Sequence, residues 1–264
     1  RVPNGRTLSV AVHDTVPWTH PETLTPRGVA WHKAVIARAA RRATALTVPT
    51  QAIADELAEL MPITVPVRVI PHGVRPHTSF EEIALPERYV LAIGTIEPRK
   101  GIDVLIDAVG RIGVPLVLAG QPGWGGIDPA GLAREHGADV RLLGKVTDAQ
   151  LAFALRGASV LAMPSRAEGF GLPLIEAMAA GVPVVHSDVP ALVEVAGGAG
   201  VVVPVGDAQA LADALKDVLG SPGRAAALRD GGLSRSSEFT WQRAAYAVWG
   251  LHLRDQFVGS PPLG

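Results

Sequence analysis

The sequence predicts an α/β fold built from parallel strands joined by crossover helices. Along its 264 residues, short β-branched runs alternate with longer amphipathic stretches, which is the pattern of repeated βαβ units. Apolar residues make up 48% of the chain but aromatic residues only 5%. Small side chains and Gly and Pro turns suit tight α/β layers, whereas a sandwich or barrel should contain more aromatic residues.

Nine strands are predicted, in two groups separated by a segment that has no clear period. The strands are Leu8–His13, Ala45–Pro49, Val67–Pro71, Tyr89–Thr95, Pro115–Gly120, Val140–Gly144, Ser159–Pro164, Pro183–Ser187 and Gly200–Val205. The separating segment is rich in proline and acidic residues, which is typical of a linker. We therefore predict a partial Rossmann-like first lobe over 1–74, a linker over 75–88 and a Rossmann-like domain over 89–240.

The C-terminal part is predicted to be helical. Trp241–Phe257 has apolar residues at helical spacing and follows a loose region at Gly231–Phe239. We expect 241–264 to form a helix that crosses back to the first lobe.

The first lobe is expected to be incomplete. Six strands after the linker suffice for a doubly wound sheet, but three strands before it leave a sheet edge and one face uncovered. We therefore expect that an N-terminal portion is missing from this chain, and a genuinely small lobe is the alternative. Association with a membrane surface through that missing portion stays open.

The composition excludes several classes of function. The formal net charge is −1 and the 24 basic residues are scattered, so nucleic acid is not an expected partner. The absence of cysteine excludes disulfides and is compatible with a cytoplasmic location. No apolar run is long enough to span a bilayer. Without an Asp-x-Asp motif or ligand spacing among the eight histidines, no metal site is predicted.

The stretch that carries the chemistry runs from Pro164 to Met178, where a predicted strand ends and a helix begins. Ligands of open α/β sheets bind at the carboxyl ends of the strands. Pro173 suits the first turn of a helix, because the N–H that proline lacks is not needed there. The backbone amides of Gly169, Phe170, Gly171 and Leu172 would then face outward at the helix N-terminus, so an anion site is predicted.

Two carboxylates, Glu168 and Glu176, bracket this anion site. A carboxylate only accepts hydrogen bonds and can take two hydroxyl donors, which is how proteins hold sugar or ribose diols. Taken singly, each glutamate is more simply explained without a ligand, Glu168 as a solvated loop residue and Glu176 as a complement to the helix dipole. Their pairing around Gly-Phe-Gly favours a binding site.

A second loop, Gly94–Gly101, also follows a strand and precedes a helix. Its adjacent cations, Arg99 and Lys100, read either as surface charge or as groups that face the same crevice as Glu168.

These segments resemble the family-4 retaining glycosyltransferases of GT-B fold, in which two Rossmann-like domains face a cleft. Glu168-Gly-Phe-Gly-Leu-Pro-Leu-Ile-Glu176-Ala-Met resembles the family signature, which implies that Glu168 holds donor sugar hydroxyls and Glu176 the nucleotide ribose. Gly94-Thr-Ile-Glu-Pro-Arg-Lys100 resembles the diphosphate loop of a mannosyltransferase-like branch. Many relatives have an arginine directly after the first glycine, where this chain has Thr95, so Lys100 is the stronger candidate phosphate ligand and Arg99 the weaker.

The resemblance also implies a role for His13 and a reaction. His13-Asp-Thr-Val-Pro17 resembles the His-Asp-x-x-Pro turn whose histidine faces the donor sugar. The implied activity is transfer of a sugar, with GDP-mannose as the leading donor, to an acceptor hydroxyl of a glycan, glycolipid or small molecule that the sequence does not identify. The donor is a substrate, and no cofactor is implied. Two alternatives stay open: a non-catalytic nucleotide-sugar-binding remnant, and another GT-B enzyme such as an epimerase or phosphorylase.

Overall fold

The computed structural model describes residues 7–75 and 77–257. The chain divides into two compact units. The small unit comprises Arg1–Gly73 with Phe239–Gly264, and the large unit comprises Val74–Glu238. Within the described residues, no helix is long and apolar enough to cross a membrane.

The small unit is a three-stranded parallel sheet with helices. Its elements are β1 (Ser9–Ala11), α1 (Val16–Thr19), α2 (Pro26–Arg42), β2 (Ala45–Val48), α3 (Gln51–Leu60) and β3 (Val67–Val69). The strands pair in the order β1-β2-β3. Threonines cap the amino ends of α2 and α3, because the side chains of Thr25 and Thr50 accept hydrogen bonds from Gly28 N–H and Ile53 N–H. Leu46 and Leu57 are fully buried in the core of this unit.

The large unit is a six-stranded α/β domain. Its elements are β4 (Val90–Ile93), α4 (Ile102–Ile112), β5 (Leu116–Ala119), α5 (Pro129–His136), β6 (Val140–Gly144), α6 (Asp148–Gly157), β7 (Val160–Met163), α7 (Leu172–Ala179), β8 (Val184–Ser187), α8 (Pro190–Ala196), β9 (Val201–Val203), α9 (Ala208–Gly220) and α10 (Pro222–Ser236). All nine predicted strands occur, and eight of them are shorter than predicted. The α/β prediction is therefore confirmed.

The strand order of the large unit decides where a ligand can bind. All its strands are parallel, and they pair in the order β6-β5-β4-β7-β8-β9. The chain reverses its direction of travel across the sheet between β4 and β7, which is the topological switch point of a doubly wound sheet. The loops that leave the carboxyl ends of these two strands therefore lie next to each other.

The C-terminal helix α11 (Trp241–Phe257) belongs to the small unit. The start of α11 packs closely on the turn at Gly73, where an added Cβ would overlap the backbone of Trp241. The side chain of His252 also lies 3.3 Å from Ser9 Oγ at the start of β1. Residues 258–264 of the predicted C-terminal segment lie outside the described residues.

One sequence expectation is wrong: most of the loose region at Gly231–Phe239 is helical, since α10 continues to Ser236. Tertiary contacts outweigh the low helix propensity of two adjacent glycines here. Gly232 packs on the side chain of Met178 in α7, and Arg235 donates hydrogen bonds to the carbonyls of Val195 and Glu194.

The loop after β4 (94–101) and the loop after β7 (164–171), which we call the switch-point loops, are in close backbone contact. Gly101 has a left-handed conformation with φ of +65° and lies against the other loop, so that an added Cβ would overlap the carbonyl oxygen of Pro164. Gly113, at the end of α4, has nearly the same φ of +64° but nothing within 4 Å of its Cβ position.

Gly101→Ala should therefore destabilise the protein more than Gly113→Ala. Both alanines meet the left-handed backbone penalty of about 1 kcal/mol. Only the alanine at 101 also meets a steric clash, which should cost a further 1–3 kcal/mol or so. Urea unfolding of the two variants measures the difference, and equal free energies of unfolding would contradict the close packing of the loops.

His186, in β8, is a buried histidine with an unsatisfied nitrogen. Its side chain is fully buried, and its Nδ1 lies 2.8 Å from the carbonyl oxygen of Ser187, while Nε2 has no hydrogen-bond partner among the described residues. Burial lowers the pKa of His186 below its ordinary value of 6.5.

The free energy of unfolding should consequently fall as the pH drops below about 6.5, because His186 then binds a proton in the unfolded state but not in the folded state. A single group changes the free energy of unfolding by at most about 1.4 kcal/mol per pH unit. In His186→Val the free energy of unfolding should depend less steeply on pH below about 6.5. Replacing the exposed His32 by Ala should leave that dependence unchanged. Urea unfolding between pH 5 and 7.5 tests this, and an unchanged slope in His186→Val would contradict it.

Candidate functional site

The first switch-point loop begins at Gly94, directly after β4. It runs through the exposed Thr95 into a 3-10 turn, Pro98–Lys100, and Gly101 then opens α4. Gly94 has a φ of +140°, and the side chain of Lys100 lies 3.5 Å from where its Cβ would be. The positive φ favours glycine at this position, and Lys100 lies at ordinary van der Waals distance beside it.

The second switch-point loop runs from the end of β7 to α7. Ser165 is buried, and its hydroxyl donates a 2.9 Å hydrogen bond to Glu168 Oε1. The backbone of Ser165 is held in turn by Ser187 of β8, whose Oγ donates to the Ser165 carbonyl at 2.5 Å. These two hydrogen bonds connect the Glu168 carboxylate through Ser165 to β8 and so restrict its position.

The two loops bring Lys100 and Glu168 into direct contact. Lys100 Nζ donates to Glu168 Oε1 at 2.5 Å, and the two side chains are only 16% and 8% exposed. Two residues 68 positions apart therefore form one charge pair at the switch point. A ligand there finds a cation and an anion that are already neighbours and partly desolvated.

Arg99, beside Lys100, is also engaged by protein groups. Its Nη2 donates to Glu97 Oε1 at 2.6 Å, and its Nη1 donates to the Ala167 carbonyl at 3.0 Å and lies 3.6 Å from Glu168 Oε2. Its guanidinium thus binds both loops.

The amino end of α7 has the features of an anion site. The helix begins at Leu172 after Gly171, which has a φ of +91°, and no side chain caps it. Pro173 lies in the first turn, as the sequence predicts. Gly169, Phe170 and Gly171 are buried, whereas Leu172 is exposed. Amide groups at such a helix end, with the partial positive charge of the helix dipole, suit a phosphate.

Glu176 lies one turn inside α7 and is partly buried. Burial raises the pKa of the Glu176 carboxyl, and the nearby charge of Asp148 raises it further. Among the described residues, no side chain or backbone group donates a hydrogen bond to this carboxylate. A half-buried acceptor without a donor can take hydroxyl groups from a ligand.

His13 lies in the small unit, just after β1, and is exposed. Its ring stacks on that of His72 at a centroid distance of 5.5 Å, and the His72 ring lies 6.0 Å from that of Trp241. Burial, with a contribution from the charge of His13, lowers the pKa of His72. The structure thus places His13 on an aromatic stack within its own unit, and its predicted contact with a donor stays a prediction.

Sequence reasoning missed Ser165, Ser187, Asp103 and Arg166. Arg166 forms a two-pronged ion pair with Asp103 at 2.9 and 2.7 Å and also donates to the Pro98 carbonyl at 2.6 Å. Its position two residues before Glu168 was the only signal in the sequence. Among residues 7–75 and 77–257, no group of three or more His, Cys, Asp or Glu side chains could hold a metal ion.

Comparison with known proteins places this site in a family. The sequence profile described as "Glycosyl transferases group 1" matches residues 87–221, just over half of the chain. The O-antigen chain mannosyltransferase B of Escherichia coli is 37% identical over 163 residues, which cover 58% of this chain and 42% of that protein. The phosphatidyl-myo-inositol mannosyltransferase of Mycobacterium leprae is 37% identical over 204 residues, covering 72% and 51%. The chain spans about half the length of these curated relatives.

Solved structures share the fold. Sucrose-phosphate synthase from Thermosynechococcus elongatus matches with a TM-score of 0.76 and 27% identity, over 96% of this chain and 68% of that one. Anabaena Alr3699/HepE, solved in complex with UDP and glucose, matches with a TM-score of 0.78 and 21% identity, over 93% and 71%. Together with the profile match, these similarities show that the chain belongs to the group 1 glycosyltransferases, the family-4 enzymes of GT-B fold.

Proposed function

We propose that this chain carries the donor site of a retaining glycosyltransferase, which moves a sugar from a nucleoside-diphosphate sugar to an acceptor hydroxyl. The observation that carries the proposal is the Lys100–Glu168 pair at the switch point, next to the amino end of α7. A cation, a helix N-terminus and a carboxylate side by side match the diphosphate and hydroxyl groups of such a donor.

The residues divide the donor among them. Lys100 and the amides of Gly169–Leu172 bind the diphosphate, Glu168 accepts hydroxyl groups of the sugar, and Glu176 accepts those of the ribose. Gly94 and Thr95 line the diphosphate side of the crevice. His13 stays a candidate for contact with the donor sugar, and Arg99 a candidate phosphate ligand that is already bonded to both loops.

Donor binding exchanges the partners of the central pair. Lys100 turns from the Glu168 carboxylate to a phosphate oxygen, and Glu168 turns to sugar hydroxyls while Ser165 continues to hold its Oε1. Each charge keeps a partner of opposite or hydrogen-bonding character throughout, so neither is left buried and alone.

The reaction depends on stabilising the leaving group. As the bond from the anomeric carbon to the diphosphate oxygen breaks, negative charge grows on the diphosphate and meets Lys100 and the α7 amides. The acceptor oxygen bonds to the anomeric carbon on the same face, and its proton passes to the departing phosphate oxygen. Glu168 acts as a hydroxyl acceptor in this scheme and not as the nucleophile.

GDP-mannose is the donor we favour. Two relatives are described as mannosyltransferases, and the Gly94–Lys100 loop resembles that branch. UDP is the nucleotide in the Alr3699/HepE complex, so UDP-sugars belong in the same test. The acceptor is unassigned, and a cytoplasmic location remains part of the proposal.

Lys100→Ala should weaken binding of the donor and cut its turnover by orders of magnitude, because one hydrogen-bond donor to the charge that develops in the transition state contributes roughly 3 kcal/mol. Lys216→Ala, in α9, removes the same charge elsewhere in the large unit and serves as the control. Calorimetry and donor turnover, with GDP-mannose, UDP-glucose and other sugar nucleotides, measure the effect. Near-normal turnover in Lys100→Ala would contradict the assignment, and donor binding without any turnover in the full-length protein would favour a non-catalytic binding protein.

Glu176→Gln should weaken nucleotide binding by about 10- to 100-fold, since hydrogen bonds to a charged group contribute about 1.5–3 kcal/mol each. The raised pKa of Glu176 adds a pH test. Affinity of the unmodified chain should fall as acidification protonates this carboxyl and removes acceptor capacity. Calorimetry across pH 4.5–7.5 should show this acid limb for wild type and a flatter profile for Glu176→Gln. Identical profiles would remove Glu176 from the nucleotide site.

A further inference from the structure

Two arginines connect the switch-point loops, because an arginine of each loop donates a hydrogen bond to a backbone carbonyl of the other. Arg99 of the first loop donates to the Ala167 carbonyl of the second at 3.0 Å. Arg166 of the second loop donates to the Pro98 carbonyl of the first at 2.6 Å. A backbone hydrogen bond of 2.7 Å, from Arg166 N–H to the Arg99 carbonyl, lies between them. We call this set of contacts, with Asp103, the loop clasp.

The loop clasp ends next to the site. Ala167 precedes Glu168, and Arg99 precedes Lys100, so each held carbonyl lies within two residues of a proposed donor ligand. The clasp thereby sets the separation between Lys100, proposed for the diphosphate, and Glu168, proposed for the sugar. A displacement of about 1 Å at such a separation is large enough to reduce binding and catalysis.

Asp103 fixes the direction of Arg166. Its carboxylate, in the first turn of α4, binds both Nη1 and Nη2 of Arg166 at 2.9 and 2.7 Å. Burial alone would raise the pKa of Asp103, but the hydrogen bonds and charge of Arg166, together with backbone hydrogen bonds from Val104 and Asp103, lower the pKa below its ordinary value. A planar guanidinium held at two points can still offer an N–H to the Pro98 carbonyl, which a lysine could not do with the same geometry.

We propose that Arg166, oriented by Asp103, is a positioning residue that holds the Lys100 loop against the Glu168 loop in the geometry that a donor diphosphate requires. The residue itself does not bind the donor. This inference rests on the proposed donor-binding function of the site.

Arg166→Gln tests the clasp, and Arg111→Gln is its matched control. Arg111 also forms a two-pronged pair with an aspartate of α4, Asp107, at 2.8 and 3.0 Å, but its other contact is Gln209 in α9. Amide hydrogen exchange measures how often the backbone of the two loops opens to solvent, and it needs no ligand. Exchange of the amides of residues 99–101 and 166–171 should speed up at least tenfold in Arg166→Gln and stay unchanged in Arg111→Gln.

Calorimetry with nucleotides separates positioning from a general loss of structure. Binding of GDP or UDP, whichever wild type binds, should weaken about tenfold or more in Arg166→Gln. Binding of the corresponding nucleoside, guanosine or uridine, should change less than twofold, because Glu176 lies outside the clasp. The double variant Arg166→Gln/Asp103→Asn should be no weaker than Arg166→Gln alone, since both residues act through one contact.

The outcomes distinguish the two proposals. If wild type binds neither diphosphate, the proposed function fails, and unchanged loop exchange in Arg166→Gln would overturn the clasp independently. If wild type binds a diphosphate and Arg166→Gln binds it equally well, the positioning role is overturned while the donor site stands. Equal weakening of nucleoside and diphosphate binding would mark Arg166 as a general structural residue and also overturn its positioning role.

Discussion

Parallel pairing of β4 with β7 is the constraint on which the site depends. Because β4 pairs with β5 on one side and with β7 on the other, the loops after β4 and β7 leave the same edge of the sheet as direct neighbours. Gly101 of the first loop lies against the Pro164 carbonyl of the second, and Gly120, in the loop after β5, lies against the Gly94 carbonyl of the first. A side chain larger than hydrogen is excluded at both contacts, so Gly101 determines how near the loops after β4 and β7 come.

Charge is balanced across this contact. Each cation at the switch point has an acidic partner: Arg99 has Glu97, Lys100 has Glu168, and Arg166 has Asp103. Partly buried ions are tolerated only when they are paired and hydrogen-bonded. The pairs differ in their further contacts: the Arg166 side chain binds the Pro98 carbonyl and Asp103, whereas Lys100 binds Glu168, the carboxylate proposed to accept hydroxyl groups of the donor sugar.

The charged residues of the site were easier to predict from the sequence than the residues that hold them in place. Glu168 and Glu176 stand out because two carboxylates flank a Gly-Phe-Gly turn before a helix, and Lys100 stands out in a loop after a strand. Arg166 and Ser165 could not be recognised in the same way. An arginine or a serine in a loop is common, and only the neighbour that folding brings to it gives it a function.

The sequence by itself determined the α/β class, the positions of nine strands and the two loops that carry the charged residues, because strand and helix periodicity and turn residues are local signals. The tertiary structure alone decided the strand order, and with it the contact of Lys100 with Glu168 across 68 positions. It also decided that α10 runs through two glycines and that Arg99 and Arg166 hold each other's loops. The physical reason is that packing and burial join segments whose local sequences carry no information about each other.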